Sequence, residues 1–105
     1  MAGKYSKDIL PQEVKRQLER GEKLMIVDVR EPEEWASGHI PGARHIPLGS
    51  LHEKHKELDP KCEYIIVCRS GSRSSFACEL LEGLGYQVAN MTGGMLNWDG
   101  EIARD

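Results

Sequence analysis

Tyr64-Ile65-Ile66-Val67-Cys68-Arg69-Ser70-Gly71-Ser72-Arg73-Ser74 is the stretch on which the fold turns. Its first four residues are apolar without polar alternation, the pattern of a strand covered on both faces, which is typical of parallel sheets. The strand runs directly into a loop of small and basic residues around Cys68. Ser74 to Leu84 then reads as a helix with Ala77, Leu80, Leu81 and Leu84 on one face, stopped by Gly85. Strand, loop and helix in this order place Cys68 at the carboxyl edge of a sheet, where open α/β folds build their ligand sites.

The rest of the chain repeats the alternation. Leu10-Pro11-Gln12-Glu13 opens a helix with Pro in its first turn, Val14 and Leu18 on its apolar face and Gly21 at its end. Leu24 to Asp28 is a second buried strand. Pro32 starts a short helix with Glu33 and Glu34 near its positive end. Gly38 to Gly42 is a loop, Arg44 to Ile46 a brief strand, and Leu51 to about Leu58 a polar helix stopped by Pro60. Gln87 to Met91 is a last short strand, followed by Thr92-Gly93-Gly94 and a helical turn containing Trp98. Strands alternating with helices at this size predict a three-layer α/β domain with a mainly parallel sheet.

The 105 residues, 39% of them hydrophobic, suit one domain over 1–105 with a core that needs no disulfide or structural metal. A net charge of -3 offers no general attraction to nucleic acid or anionic membrane, so any anion site must be built locally. No apolar run approaches the roughly 20 residues of a membrane span. The amino-terminal MAGKYSKDILPQEV lacks the apolar core of a secretory signal, so a cytoplasmic location is expected. The compact start and a stop soon after Trp98 suggest a complete domain, and a monomer is the working expectation. The three cysteines, Cys62, Cys68 and Cys78, fit no zinc or disulfide framework, so at least one thiol is expected to be free. His45, His52 and His55 form no ligand set, and no metal or cofactor is expected. No phosphate loop, dinucleotide fingerprint or basic aromatic stripe occurs, so nucleotides and nucleic acid are not implied.

The chemistry concentrates at Cys68. Ser70, Gly71 and Ser72 are small enough for the chain to curl around the sulfur with its N–H groups pointing inward, and the following helix adds its positive end. Such a cradle stabilises an anion, and Arg69 or Arg73 nearby would add to it. The thiol should then titrate below the free value of about 8.5 and act as a nucleophile near neutral pH. The alternative is a Ser-rich connection holding a buried, inert cysteine, which two neighbouring arginines make the weaker reading.

Four segments resemble the rhodanese family. They are Asp28-Val29-Arg30-Glu31 with Glu34 and Trp35, Gly38-His39-Ile40-Pro41-Gly42-Ala43 with Ile46-Pro47, the loop Cys68 to Ser74, and Gly93-Gly94 with Trp98. They occur in the family's order, within a resemblance that runs from Ile9 to Trp98. The resemblance implies a five-stranded parallel sheet flanked by helices and a loop whose amides cup the catalytic sulfur. It further implies a sulfurtransferase in which the Cys68 thiolate takes the outer sulfur of a donor such as thiosulfate, releases sulfite, and passes the sulfur from a persulfide to cyanide, a thiol or a protein. Cys68 is then the catalytic residue, and Arg69, Ser70, Gly71, Ser72, Arg73 and Ser74 bind the substrate. Arg69 is expected at the mouth, steering the dianion, and Arg73 at the start of the helix that closes the loop.

Other chemistries fit these residues less well. Cysteine phosphatases and arsenate reductases need a ring wide enough for a tetrahedral oxyanion, whereas only four residues separate Cys68 from Arg73, a spacing better suited to one sulfur atom. A redox pair is disfavoured: Cys78 lies about two turns into the helix, near or beyond the roughly 7 Å limit for bridging, and Cys62 lies toward the opposite sheet edge. Cys78 is expected as a packing residue at the margin of the helix stripe. A persulfide carrier fed by a protein, or a regulatory module, would use the same loop. Asp28 and Arg30 are read first as a structural pair fixing a strand end, with the edge of the site as their second role. Arg44 either adds positive charge near the site or caps a strand. His39 is expected to pack its loop, His52 and His55 to lie on a solvated surface, and Trp35 and Trp98 to anchor the core.

Overall fold

A computed structural model of the chain describes residues 7–104. Five strands, β1 (Lys7–Ile9), β2 (Met25–Asp28), β3 (Arg44–His45), β4 (Glu63–Val67) and β5 (Gln87–Met91), form one sheet in the order β1-β5-β4-β2-β3, and every pairing is parallel. Helices α1 (Pro11–Glu19), α2 (Pro32–Ala36), α3 (Leu51–Lys54) and α4 (Ser72–Gly83) make the connections. This is the three-layer α/β arrangement expected.

The apolar runs of β2 and β4 are explained by where their side chains go. Val27, Ile66 and Cys68 pack with Leu51, Ala77 and Leu81 on the α3 and α4 side of the sheet. Ile26, Ile65 and Val67 pack with Val14 and Met91 on the α1 side. Ile66 and Val67 are both fully buried although they point to opposite faces. Each such side chain contributes about 1.5–3 kcal/mol, so the Cys68 loop leaves a strand buried on both faces.

Several expectations are corrected. β1 was not legible as a strand: KDI is short and polar, and it is held at the sheet edge by β5 rather than by its own pattern. β2 begins at Met25, not Leu24, and Met25 is exposed at the amino edge of the sheet. The helix expected over Leu51 to Leu58 is broken into α3 between two 3-10 turns, Leu48–Ser50 and His55–Glu57. Helix α4 starts at Ser72, two residues early, because Gly71 takes the left-handed conformation (φ 104°) that turns the chain into the helix. Its buried face is Ser74, Ala77, Cys78 and Leu81, so Cys78 belongs to the core while Leu84 is exposed. The carboxyl-terminal 3-10 turn, Gly94–Asn97, ends before Trp98.

Neither tryptophan is a fully buried anchor. Trp98 is half-buried and packs on the α1-side core. Trp35 is also half-buried, and its ring stacks on those of His39 (centroids 3.5 Å apart) and His45 (4.7 Å), tying the loop after α2 to β3. His55 departs from the surface role expected for it: it is half-buried, meets the Tyr86 ring edge-on, and its carbonyl accepts from Tyr86 Oη at 2.7 Å. His52 is exposed as expected, and Arg44 is exposed with Nη1 3.3 Å from the Glu57 carbonyl.

Candidate functional site

Cys68 follows the last residue of β4 and has no exposed surface. The backbone behind it is pinned from the far end of the chain: Met95 N–H donates to the Cys68 carbonyl and Leu96 N–H to that of Arg69, both at 2.9 Å. This approach requires Gly94, where a Cβ would lie 2.4 Å from the Arg69 oxygen and 2.5 Å from that of Cys68. With both carbonyls engaged outward, the amides of the loop are left to face the sulfur.

Gly71 N–H donates to Cys68 Sγ at 3.0 Å, and Ser74 Oγ lies 3.3 Å away. Burial pushes the Cys68 thiol up, but the Ser74 hydroxyl and the amides of Ser74, Gly71 and Ser70 outweigh it, and the thiol is held below its ordinary value. Hydrogen bonds to a charged group are each worth about 1.5–3 kcal/mol, which is how a few of them overcome desolvation. Ser74 is fully buried and bonded in turn to Asn90 Oδ1, while Asn90 Nδ2 donates to the Gly71 carbonyl at 3.3 Å.

The two loop arginines have different surroundings. Arg73, in the first turn of α4, donates from Nη1 and Nη2 to the two carboxylate oxygens of Glu34 at 2.8 and 2.9 Å. Glu34 also accepts from the Glu31 N–H as half of a capping box on α2. The guanidinium holds the Glu34 carboxyl at about 2. Arg69 is exposed, and its side chain makes no ion pair among the described residues. Ser70 and Ser72 are exposed on the loop, with their hydroxyls 3.5 Å apart.

Asp28 and Arg30 are buried and face each other. Arg30 Nε and Nη2 donate to the Asp28 carboxylate at 2.9–3.0 Å, and Nη2 also donates to the Gly38 carbonyl at 2.7 Å. Asp28 accepts from the Arg30 N–H as well. The pair joins the end of β2 to the loop after α2. His45 Nε2 lies 2.8 Å from the Arg30 carbonyl, and His39 Nδ1 lies 2.9 Å from that of Trp35, so both imidazoles serve this loop.

The family model of the rhodanese-like domain matches residues 10–101. The chain belongs to the rhodanese-like family. It is 44% identical over 95 residues to YtwF of Bacillus subtilis, covering 90% of this chain and 92% of that protein. It is 33% identical over 90 residues to the thiosulfate sulfurtransferase GlpE of Pseudomonas putida, covering 85% and 82%. The crystal structure of a rhodanese-like domain protein from Staphylococcus aureus superposes with a TM-score of 0.89 at 36% identity, over 94% of this chain and 98% of that one. The five-stranded parallel sheet is thus the rhodanese-like sheet.

Three contributors to the site escaped the sequence reading. Glu34 was read as a helix-dipole residue, and nothing local marks it as the partner of Arg73. Asn90 carried one signal, a polar residue in a short strand where Val88 packs in the core on the same side. Gly94 was noticed for the family resemblance but not for the close approach it permits. Among the other thiols, burial pushes Cys78 up to about 12, and Cys62 sits in the turn before β4, at the opposite end of that strand from Cys68.

Proposed function

We propose that this rhodanese-like sulfurtransferase takes the outer sulfur of thiosulfate onto Cys68. The thiolate attacks that sulfur, the S–S bond of the donor breaks, and its electron pair leaves with sulfite, which yields an anionic Cys68 persulfide. A thiophilic acceptor, either cyanide, a small thiol or a protein thiol, then attacks the outer sulfur and regenerates the thiolate. No base is needed once Cys68 is ionised, and no redox partner enters the balance.

The observation that carries this reading is the buried sulfur facing Gly71 N–H and the Ser74 hydroxyl, a pocket scaled to one anionic sulfur. A backbone donor such as the Gly71 N–H stabilises charge on the sulfur as it develops without reorganising. Arg69, exposed beside the nucleophile, is the residue that meets the dianion. Ser70, Gly71, Ser72 and Ser74 form the wall, and Arg73 braces it through Glu34. Asp28 and Arg30 hold the neighbouring loop at the edge of the site. The cytoplasm, where small thiols are abundant, is the compartment this chemistry suits.

Steady-state thiocyanate formation tests the proposal. Varying thiosulfate at several cyanide concentrations should give the parallel double-reciprocal lines of a ping-pong transfer, and Cys68→Ser should abolish turnover. Intersecting lines, or turnover that survives Cys68→Ser, would remove the persulfide intermediate.

A further inference from the structure

The Ser74 hydroxyl has one proton and two claimants. Its oxygen lies 3.3 Å from Cys68 Sγ on one side and bonds Asn90 Oδ1 on the other. The amide of Asn90 decides which of them holds the proton. The Gly71 carbonyl can only accept, so the Asn90 atom 3.3 Å from it must be the donor Nδ2. That orientation turns Oδ1 toward Ser74, and an amide oxygen also can only accept. Ser74 therefore gives its proton to Asn90 and offers the sulfur a lone pair. A thiol can donate to that lone pair, whereas a thiolate is repelled by it.

Asn90 is placed for this task and poorly suited to any packing role. It stands on β5 in register with Ile66 of β4, in the row that Val88 fills with a buried apolar side chain. A polar residue there costs free energy unless it is bonded, and Asn90 spends both ends of its amide on the sulfur loop.

We propose that Asn90 is a positioning residue of the sulfur site, holding the Ser74 proton away from Cys68 while the thiol is protonated and yielding it to the sulfur when the thiolate forms. The inference rests on Cys68 being the nucleophile. On ionisation the thiol proton leaves to solvent, and the Ser74 hydroxyl rotates, exchanging its bond to Oδ1 for one to the sulfur anion. Asn90 Oδ1 is then left without its donor. This cost makes Cys68 less acidic than a Ser74 hydroxyl free of Asn90 would, and a less stabilised thiolate is intrinsically the better nucleophile. The other titratable groups acting on the sulfur are Arg73 of α4, with Glu34 of α2 bound to it, and Cys78 of α4. None of them touches Asn90 in the hydrogen bonds described.

The test is the pH dependence of iodoacetamide alkylation at Cys68, read by mass spectrometry on the Cys68 peptide of the whole chain. Asn90→Leu should lower the midpoint by about half a pH unit or more, because the freed Ser74 hydroxyl serves the thiolate alone. In a Ser74→Ala background the same substitution should leave the midpoint unmoved. Asn90→Ala gives the same test should the leucine variant not fold. A midpoint that stays or rises with Asn90→Leu, or that falls equally with and without Ser74, would overturn the proposal and leave Asn90 as a prop for Gly71. Alkylation uses no sulfur donor, so this result is independent of whether Cys68 accepts sulfur from thiosulfate.

Discussion

Arg73 and Glu34, 39 residues apart in the chain, meet as a two-pronged ion pair with both guanidinium nitrogens 2.8–2.9 Å from the carboxylate oxygens. The pair joins the first turn of the helix after the sulfur loop to the first turn of α2. Paired forks of this geometry are both stronger and more directional than single contacts.

Glu34→Gln should therefore lower stability, by about 1–2 kcal/mol once solvent screening of this partly exposed pair is allowed for. The carboxyl is depressed from 4.5 to about 2. The contribution of the pair is thus fully present above pH about 4.5 and is lost as pH falls toward 2. Urea denaturation across this range should show the two proteins differing by a constant amount above pH 5 and converging below it. A difference that persists at the acid end would mean that Glu34 acts by packing and not by charge.

Gly94→Ala should be among the most damaging single changes in the chain. The new Cβ meets the carbonyl oxygens of Cys68 and Arg69, and the left-handed backbone there (φ 59°) disfavours any side chain. A loss of more than about 2 kcal/mol, together with loss of turnover, is expected. Gly83→Ala is the control: it lies at the end of α4 with open space around it and should gain up to about 1 kcal/mol. Thermal unfolding of the two variants checks both.

Sulfur position was more legible in the sequence than the means of holding it. The apolar run Ile65-Ile66-Val67 ends abruptly at Cys68, and that local pattern places the thiol at a sheet edge without any knowledge of distant residues. The cradle is local too, because Gly71 is the only small residue of the loop free to take a positive φ at no cost. Glu34, Asn90 and Gly94 act across the sheet, and nothing in their own neighbourhoods says what they will meet. β1 failed for the related reason that an edge strand of three residues is stabilised by its neighbour's hydrogen bonds and not by its own hydrophobic pattern. Cys78 packs in the core as its place at the margin of the stripe implied, whereas Leu84, read as part of that stripe, is exposed at the end of α4.

Arg69→Ala should raise KM for thiosulfate by about tenfold with kcat little changed, as expected for an exposed cation that attracts a dianion. Stability should move by no more than about 0.5 kcal/mol, since its side chain makes no ion pair among the described residues. The rise in KM should shrink at high salt, where the wild-type advantage is screened. A fall in kcat at unchanged KM would instead place Arg69 on the departing sulfite.

Cysteine reactivity should divide by environment. Cys68 is held below the ordinary thiol value and should be alkylated with a midpoint below that of a free thiol, whereas Cys78, pushed up to about 12, should stay unmodified until the protein is denatured. Site-resolved mass spectrometry in native and denaturing buffer separates the two. Early modification of Cys78 would show that the α4 face opens readily.

The most direct test of the account is the intact mass of the protein after incubation with thiosulfate and removal of excess donor. One added sulfur atom is expected, present on the wild type, absent from Cys68→Ser and discharged by cyanide as thiocyanate. A wild-type mass that does not change would contradict thiosulfate as the donor and leave the cradle waiting for a sulfur delivered by another protein. Sulfur that also loads onto Cys68→Ser would contradict Cys68 as the carrier.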